Sequence, residues 1–197
     1  MSAHLILAST SQARRSLLAQ AGLAFEALAP AVDEAKLKSV APQLEPAAMA
    51  SFLAEAKAAS LAKERGDALV IGADQVLDLD GEMLEKPDSP AAARAQLERL
   101  RGRTHSLETA VCCAQGSAIV WRHLGQARLT MRNFSDAFLT RYLEFAGRGA
   151  LTSVGAYQLE GPGIQLFETV EGDYFTILGL PLLPLLAFLR SREAIAS

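Results

Sequence analysis

The stretch Ala68-Leu69-Val70-Ile71-Gly72-Ala73-Asp74-Gln75 decides how this chain of 197 residues is built. Its first four residues form an apolar run of strand length, and we expect the buried strand to end in the four residues that follow. Ligand crevices in open α/β sheets form at the carboxyl ends of parallel strands. An aspartate at position 74 could therefore bind a divalent cation or accept a proton from water. The alternative is equally open from this stretch alone, because aspartate is also common in turns.

A second unit of strand and helix begins the chain. Leu5–Ala8 is predicted to be a short buried strand, and a helix that carries Arg14 and Leu18 on one face follows the sequence Ser9-Thr10-Ser11. Unpaired amides and the dipole at a helix N-terminus favour anions, so the serine hydroxyls and the Arg14 guanidinium could hold a phosphate. The alternative is an ordinary serine N-cap followed by solvated arginines.

Strand and helix signals alternate along the rest of the chain. Asp80-Gly81 predicts a hairpin turn. Two strands are expected between positions 104 and 130, and two shorter ones after the glycine-rich region near position 150. Further helices are expected at about 46–65, after Ser89, after Ser135 and near the C-terminus. The pattern predicts one domain over 1–197, an α/β (α+β) fold with a mixed sheet flanked by helices.

Composition narrows the function classes. Half of the residues are hydrophobic, which excludes disorder as the main state, and 22 acidic against 19 basic residues argue against a general nucleic-acid binder. The adjacent Cys112 and Cys113 would point to opposite faces of a strand, so an ordinary disulfide is not expected and a reducing, cytoplasmic setting fits best. The apolar stretch 178–189 is too short to cross a bilayer, so we expect a soluble protein without a membrane partner.

A third group of charged residues could take part in chemistry. Lys57 lies at the edge of the apolar stripe of its helix, four residues after Leu53, so its amine could reach inward. Asp33-Glu34 and Lys86-Pro87 add carboxylates and another cation. Each of these residues alone would usually be a surface charge. Together with Asp74 and Arg14 they fit polyphosphate and metal chemistry.

Short motifs between residues 5 and 182 resemble, in their order and spacing, those of a known protein family. In order they are LILASTS at 5–11, RRSLL at 14–18, DE at 33–34, KA at 57–58, IGADQ at 71–75, KP at 86–87, GRTH at 102–105, GAY at 155–157, EGDY at 171–174 and GLPL at 179–182. Each motif is weak, but their order and spacing resemble the Maf family of nucleotide pyrophosphatases over nearly the whole chain.

The resemblance implies hydrolysis of a nucleoside triphosphate to the monophosphate and pyrophosphate, with a divalent metal (Mg²⁺ or Mn²⁺), in a cytoplasmic homodimer. It implies an ITPase/Maf-like fold, with a twisted mixed sheet and two lobes around a nucleotide cleft. Carried over by position, Asp74 would be the catalytic general base and Glu34 and Asp74 would hold the metal. The residues that would hold the phosphates are Ser9, Ser11, Arg14, Lys57 and Lys86.

Departures from the branch that acts on thymidine and uridine triphosphates bear on the base. That branch has threonine where this chain has Gln75, lysine where it has Ser153, and glutamine where it has Glu160. Gln75 and Glu160 resemble instead the branch similar to 7-methyl-GTP pyrophosphatases, so both are expected to bind the substrate. An ionised Glu160 accepts hydrogen bonds but cannot donate, which suits the N–H donors of a guanine-type or modified base.

Two other functions stay open at this point. A nucleotide-binding regulator linked to cell division would bind the same ligand without significant turnover. A phosphatase for another small phosphate ester would release orthophosphate instead of pyrophosphate. The sequence does not identify the physiological nucleotide, the preferred metal or the dimer surface.

Overall fold

The computed structural model describes residues 4–196. Its strands are β1 (Leu5–Ala8), β2 (Glu26–Leu28), β3 (Leu69–Leu79), β4 (Glu82–Leu84), β5 (Thr104–Gln115), β6 (Ala118–Met131) and β7 (Phe167–Glu171). Its α-helices are α1 (Gln12–Gln20), α2 (Glu34–Val40), α3 (Pro46–Ala62), α4 (Pro90–Leu100), α5 (Asp136–Ala146), α6 (Tyr174–Ile177) and α7 (Leu182–Ser191).

The seven strands form one mixed sheet in the order β2-β1-β3-β5-β6-β7, with β4 paired to β3. β1 runs parallel to both β2 and β3, and the remaining pairs are antiparallel. Helices flank this sheet, so the predicted α/β (α+β) class with a mixed sheet is confirmed. No helix within residues 4–196 is long and apolar enough to cross a membrane.

Strand β3 differs from the expectation in a way that matters for the site. The strand does not end before Asp74 but continues through it to Leu79, paired with β5 from Val70 to Asp78. Only its parallel pairing ends early, because β1 stops at Ala8 opposite Gly72. Asp74 therefore lies in the middle of a long strand, beside the point where its neighbour turns away and leaves an opening.

The predicted turn and helix starts agree with the structure. Asp80 and Gly81 join β3 to β4 with φ of 57° and 88°, the left-handed backbone that a two-residue hairpin of this type requires. The side chains of Ser11, Ser89 and Ser135 each accept a hydrogen bond from a backbone N–H in the first turn of α1, α4 and α5. These bonds satisfy amides that the helix itself leaves unpaired.

The hydrophobic core divides into two halves along the long strands. In the first half, α3 covers one face of the sheet and α1 and α7 pack on the other. Cys112 belongs to the α3 side and Cys113 to the opposite side, so these free cysteines point away from each other as predicted. The second half packs α4, α5 and the segment 147–166 on the far ends of β3, β5 and β6. Asp74 lies between the halves, and the sheet residues Leu77 and Leu79 already belong to the second.

The segment before β7 differs from the secondary structure predicted from the sequence. Two short strands were expected there, but the structure has three short 3₁₀ helices at 147–151, 154–156 and 162–166, followed by β7 alone. Gly155 and Ala156 adopt left-handed backbones with φ of 82° and 58°, which a strand cannot accommodate. The Tyr142 hydroxyl donates to the Ala156 carbonyl at 3.0 Å and fixes this bend from α5.

Candidate active site

A cavity of about 820 Å³ lies between the two halves of the core. All nine residues predicted from the sequence to act in the site line it. They are Ser9, Ser11, Arg14, Glu34, Lys57, Asp74, Gln75, Lys86 and Glu160. The structure thus brings together side chains that are up to 151 positions apart in sequence.

Lys57 joins two carboxylates at the reacting end of the cavity, the end formed by the first half of the core. Its Nζ lies 2.6 Å from Asp74 Oδ1 and 2.9 Å from Glu34 Oε1. The Lys57 and Asp74 side chains are only 7% and 8% exposed, whereas that of Glu34 is 48% exposed. Because a buried charge is costly unless it is paired, the ion pair between Lys57 and Asp74 offsets part of the cost of burying both groups.

The contact between Lys57 and Asp74 depends on close packing of α3 against β3. A Cβ placed on Gly72 would lie 2.2 Å from the Ala54 carbonyl oxygen and 2.8 Å from the Ala58 Cβ. Glycine is therefore needed at this position so that the helix can lie directly on the strand. Two positions after Gly72 on the strand, Asp74 then meets Lys57 from the helix.

Glu34 is brought to this pair by α2. Asp33 caps that helix by accepting a hydrogen bond from the Lys36 amide at 3.0 Å, which leaves Glu34 in the first turn. Partial burial alone would raise the pKa of Glu34, but its hydrogen bond to Lys57 and the charges around it lower the pKa below its ordinary value. Glu34 is thus ready to carry a negative charge in the cavity.

Arg14, on the cavity wall, connects α1 to β3 and to the loop between α6 and α7. Its Nε donates to the Gly179 carbonyl at 2.7 Å and its Nη1 donates to the Ala73 carbonyl at 2.9 Å. Burial lowers the pKa of this guanidinium, and the charges of Asp74 and Glu34 oppose that shift. Two of its N–H groups therefore donate to backbone carbonyls. Because one of these carbonyls belongs to Ala73, directly before Asp74, Arg14 also helps to hold β3 in place at the cavity.

Ser9 and Ser11 have structural partners as well as cavity positions. The Ser9 hydroxyl accepts from the Ser11 amide at 3.1 Å, and the Ser11 hydroxyl accepts from the Arg14 amide at 3.5 Å. Ser11 is therefore the N-cap of α1, which was the plainer of the two sequence interpretations. Both hydroxyls nevertheless lie on the cavity wall beside the N-terminus of α1, where the dipole favours an anion.

Lys86 is the cation most available to a ligand. Among the residues that the structure describes it has no ion pair or side-chain hydrogen bond. Partial burial lowers its pKa, and the nearby charge of Arg14 lowers it further. Its neighbour Glu85 pairs instead with Lys38 at 2.6 Å, on the rim of the same cavity.

The other end of the cavity, here called the base end, is formed by the second half of the core. Its wall is largely apolar, and the loop 152–160 adds polar groups that include the exposed Glu160. Tyr157 is buried in this wall with its hydroxyl 2.8 Å from Nε2 of the buried His105. Burial lowers the pKa of His105 to about 4, so its ring is neutral at ordinary pH.

Gln75 lies between the two ends. Its amide nitrogen donates to the Thr109 hydroxyl at 2.8 Å and to the carbonyls of Thr176 and Ile177 at 3.0 Å. These bonds hold the end of α6 against the sheet. Because these bonds use the amide nitrogen, the part of the Gln75 side chain left to contact a ligand is its carboxamide oxygen, which is a hydrogen-bond acceptor.

The carboxylates fit one kind of metal site. No group of three or more His, Cys, Asp or Glu side chains that could hold a metal occurs within residues 4–196. The Lys57 ammonium lies between one oxygen of Glu34 and one oxygen of Asp74, so a single cation can be shared by these two side chains. Mg²⁺ is commonly held by one or two carboxylates together with waters and substrate phosphates, so this pair fits a metal shared with a triphosphate.

Several cavity residues were missed by the sequence analysis. Lys38 and Glu85 are separated by 47 positions, and each looks like an ordinary surface charge until the fold pairs them. The base end was missed more widely, because its polar groups Thr152 and Gln158 lie in irregular structure with no periodic signal. In the sequence, that loop was marked only by the motif at 155–157 and by Ser153 and Glu160, which differ from the other branch of the family.

The chain is similar to known proteins over nearly its whole length. The family model described as "Maf-like protein" matches residues 4–192. A Rhizobium meliloti protein named 7-methyl-GTP pyrophosphatase is 53% identical over 193 residues, 97% of each chain. A Granulibacter bethesdensis protein named nucleoside triphosphate pyrophosphatase is 49% identical over 193 residues, 97% of this chain and 98% of its own. A solved structure, the Staphylococcus aureus Ham1 protein, aligns with a TM-score of 0.40 and 16% identity over 66% of this chain and 72% of its own. Because the family model matches residues 4–192 and both relatives are about half identical over nearly the whole chain, the chain belongs to the Maf family.

Proposed function

We propose that this protein is a nucleoside triphosphate pyrophosphatase that hydrolyses the α–β phosphoanhydride bond and releases a nucleoside monophosphate and pyrophosphate. The observation that carries the proposal is the buried Asp74 beside Lys57, in a cavity with cations at one end and apolar walls at the other. The names of the relatives support the same activity. The enzyme is accordingly a hydrolase that acts on nucleotides.

Asp74 is the general base in this proposal. In the structure without ligand, one of its oxygens accepts a hydrogen bond from Lys57. In the reaction, its other oxygen accepts the proton of a water molecule that attacks the α-phosphorus. A new P–O bond forms to the water oxygen, the bond to the bridging α–β oxygen breaks, and pyrophosphate leaves. A positioned base of this kind contributes to rate only when it is within hydrogen-bond reach of the water. The pairing of β3 with β5 on both sides of Asp74 supports such a fixed position.

The cations neutralise charge as it develops on the phosphate oxygens. Lys86, without a partner among the described residues, is placed to hold the pyrophosphate that leaves. The backbone amides at the start of α1 and the remaining Arg14 donors contact the other phosphates. Preorganised donors of this type act most strongly in a cavity from which water is largely excluded.

A divalent cation, Mg²⁺ or Mn²⁺, would be held by Glu34 and Asp74 together with the phosphates. When bound it supplies Lewis-acid stabilisation of the phosphoryl oxygens. The carboxylates of Glu34 and Asp74 support this part of the proposal, because Mg²⁺ is commonly held by one or two carboxylates together with substrate phosphates. The homodimer and the cytoplasmic setting implied by the family resemblance also stay predictions.

The base end favours a guanine-type or modified base. Glu160 offers a carboxylate to N–H donors of the base, and the Gln75 carboxamide oxygen is a second acceptor. Acceptors in both places suit guanine, whose N1 and N2 carry hydrogens. Relatives from Rhizobium meliloti and Brucella abortus, 53% and 47% identical, are named 7-methyl-GTP pyrophosphatase, which supports this base class.

Turnover of a nucleotide panel tests the proposal. Purified protein with Mg²⁺ or Mn²⁺ is given TTP, UTP, CTP, GTP and 7-methyl-GTP, and the monophosphate and pyrophosphate are measured directly. We expect pyrophosphate as the product and the highest kcat/KM for GTP or 7-methyl-GTP. Orthophosphate as the first product would reject the pyrophosphatase, and a preference for TTP and UTP would reject the base assignment. Tight binding without turnover would support the regulator, which the names of the relatives do not favour.

A further inference from the structure

We propose that Lys57 is a stand-in cation, whose ammonium occupies the position between Glu34 and Asp74 until a nucleotide arrives. The free enzyme would then take up divalent metal poorly, and the metal would enter together with the triphosphate. This inference rests on the proposed function and deepens it, because it assigns an order of binding to the same site.

The geometry is that of a cation held between two anions. The ammonium nitrogen lies 2.6 Å from one carboxylate and 2.9 Å from the other, and the two carboxylates come from different elements, β3 and α2. Nothing else joins Glu34 to Asp74 in the contacts described for these side chains. Lys57 therefore occupies the space that a metal bridging the same carboxylates would need.

The ammonium is also held firmly in place. The Lys57 side chain is 7% exposed, and its helix lies against Gly72 so closely that α3 cannot shift toward or away from the strand without losing that packing. A metal ion that approaches the free site without a triphosphate would meet a positive charge that both carboxylates hold in place. Repulsion between charges a few ångströms apart is large in a site shielded from water.

The charge balance of the cavity points the same way. Four cationic side chains (Arg14, Lys38, Lys57 and Lys86) and four carboxylates (Glu34, Asp74, Glu85 and Glu160) line the cavity. Their formal charges cancel, so a divalent ion entering alone would leave the cavity with net positive charge. A triphosphate brings the missing negative charge and offers oxygens to which the Lys57 ammonium can transfer its hydrogen bonds. The two carboxylates are then free to hold the metal.

Binding of Mn²⁺ alone, without nucleotide, tests this order. Free Mn²⁺ is counted by electron paramagnetic resonance as protein is added. We expect the wild type to bind Mn²⁺ weakly. Lys57→Met, which removes the charge between the carboxylates, should bind Mn²⁺ at least about tenfold more tightly than the wild type. Lys57→Arg keeps the charge and should bind Mn²⁺ as weakly as the wild type. Lys86→Met removes a more exposed cation from the same cavity and should change the affinity by only about threefold or less, because exposed charges are screened.

Thermal melting provides a second readout. Lys57→Met leaves two carboxylates close together without their shared cation, so we expect its Tm to be lower than that of the wild type and to rise when Mn²⁺ is added. The Tm of the wild type should not move, because a ligand stabilises a protein only to the extent that it binds. If Lys57→Met does not fold, Lys57→Gln, which can still donate a hydrogen bond, replaces it in both measurements.

Two results would overturn the inference: Mn²⁺ binding no tighter in the uncharged Lys57 variants than in the wild type, or equal tightening by Lys86→Met. Neither measurement uses a nucleotide. A wild type that hydrolyses nucleoside triphosphates while its uncharged variants gain no Mn²⁺ affinity rejects the order of binding alone. A wild type that releases no pyrophosphate rejects the proposed function, whatever the Mn²⁺ result.

Discussion

The reacting end and the base end of the cavity are built from different interactions. At the reacting end, buried charges hold one another, with Lys57 between Asp74 and Glu34. At the base end, neutral hydrogen bonds hold the loop 152–160, such as the one from Tyr142 to the Ala156 carbonyl. The first arrangement places charge where phosphates react, and the second fixes a shape against which a base can be recognised. Changes at the first should therefore affect kcat, and changes at the second should affect selectivity.

The largest effect is expected from Asp74→Asn at the reacting end. The amide keeps the shape of the side chain but cannot accept the proton of the attacking water, so kcat should fall by about 10²- to 10⁴-fold. KM should change much less, because the phosphate-binding cations remain. Steady-state pyrophosphate release measures both constants. Turnover at the parental rate would show that Asp74 is not the base, and a large rise in KM with unchanged kcat would move it to binding.

Gly72→Ala tests the packing on which the reacting end depends. The added Cβ would overlap the Ala54 carbonyl and Ala58, so we expect a loss of about 3 kcal/mol in the free energy of unfolding and a parallel loss of kcat as Lys57 is displaced. Urea unfolding gives the first quantity. Gly66→Ala is the matched control, because a Cβ there meets no atom within 4 Å. Equal stability of the two variants would mean that α3 can move without cost.

Much of the reacting end could be predicted from the sequence. The apolar runs before Ser9 and Asp74 identified β1 and β3, and the parallel pairing of these strands, which ends at Ala8 and Gly72, brings Ser9 and Asp74 to the same opening. Lys57 was predictable from helical spacing after Leu53, which indicated an amine directed inward. What could not be predicted was the partner of each charge, because pairing depends on the contact of α3 with Gly72.

The base end was far less predictable. Its loop has left-handed backbones at Gly155 and Ala156, and such bends depend on tertiary contacts, here the hydrogen bond from Tyr142. Apolar residues in this region suggested two strands, of which only β7 forms, and 3₁₀ helices stand in place of the other. The extent of β3 was also predicted wrongly. The apolar run ends at Ile71, and Gly72-Ala73-Asp74-Gln75 looks like the end of a strand, whereas pairing with β5 continues the strand to Leu79.

His105 supplies a pH-dependent test of the base end. Its imidazole titrates at about 4 in the fold against an ordinary 6.5, so between these values the unfolded chain binds more protons. The free energy of unfolding therefore keeps its full contribution from His105 above about pH 6.5. That contribution, about 3 kcal/mol, is lost as the pH falls from 6.5 to about 4. His105→Gln should lose that part of the pH dependence, whereas Tyr157→Phe should keep it, because the buried ring remains. Unfolding at pH 7 and pH 4.5 compares the three proteins, and identical slopes would place the pH dependence elsewhere.

Glu160→Gln should produce the smallest change and the one most specific to the base end. A carboxamide can donate as well as accept, so the preference for donors on the base should weaken, and kcat/KM for GTP relative to UTP should fall by about tenfold. The kcat for UTP and the stability should stay near the parental values, because Glu160 is exposed and lies at the opposite end from Asp74. Glu171→Gln makes the same change at an exposed position outside the cavity and should leave the ratio unaltered. A ratio unchanged by Glu160→Gln would remove this residue from base recognition and leave the Gln75 oxygen as the acceptor to test next.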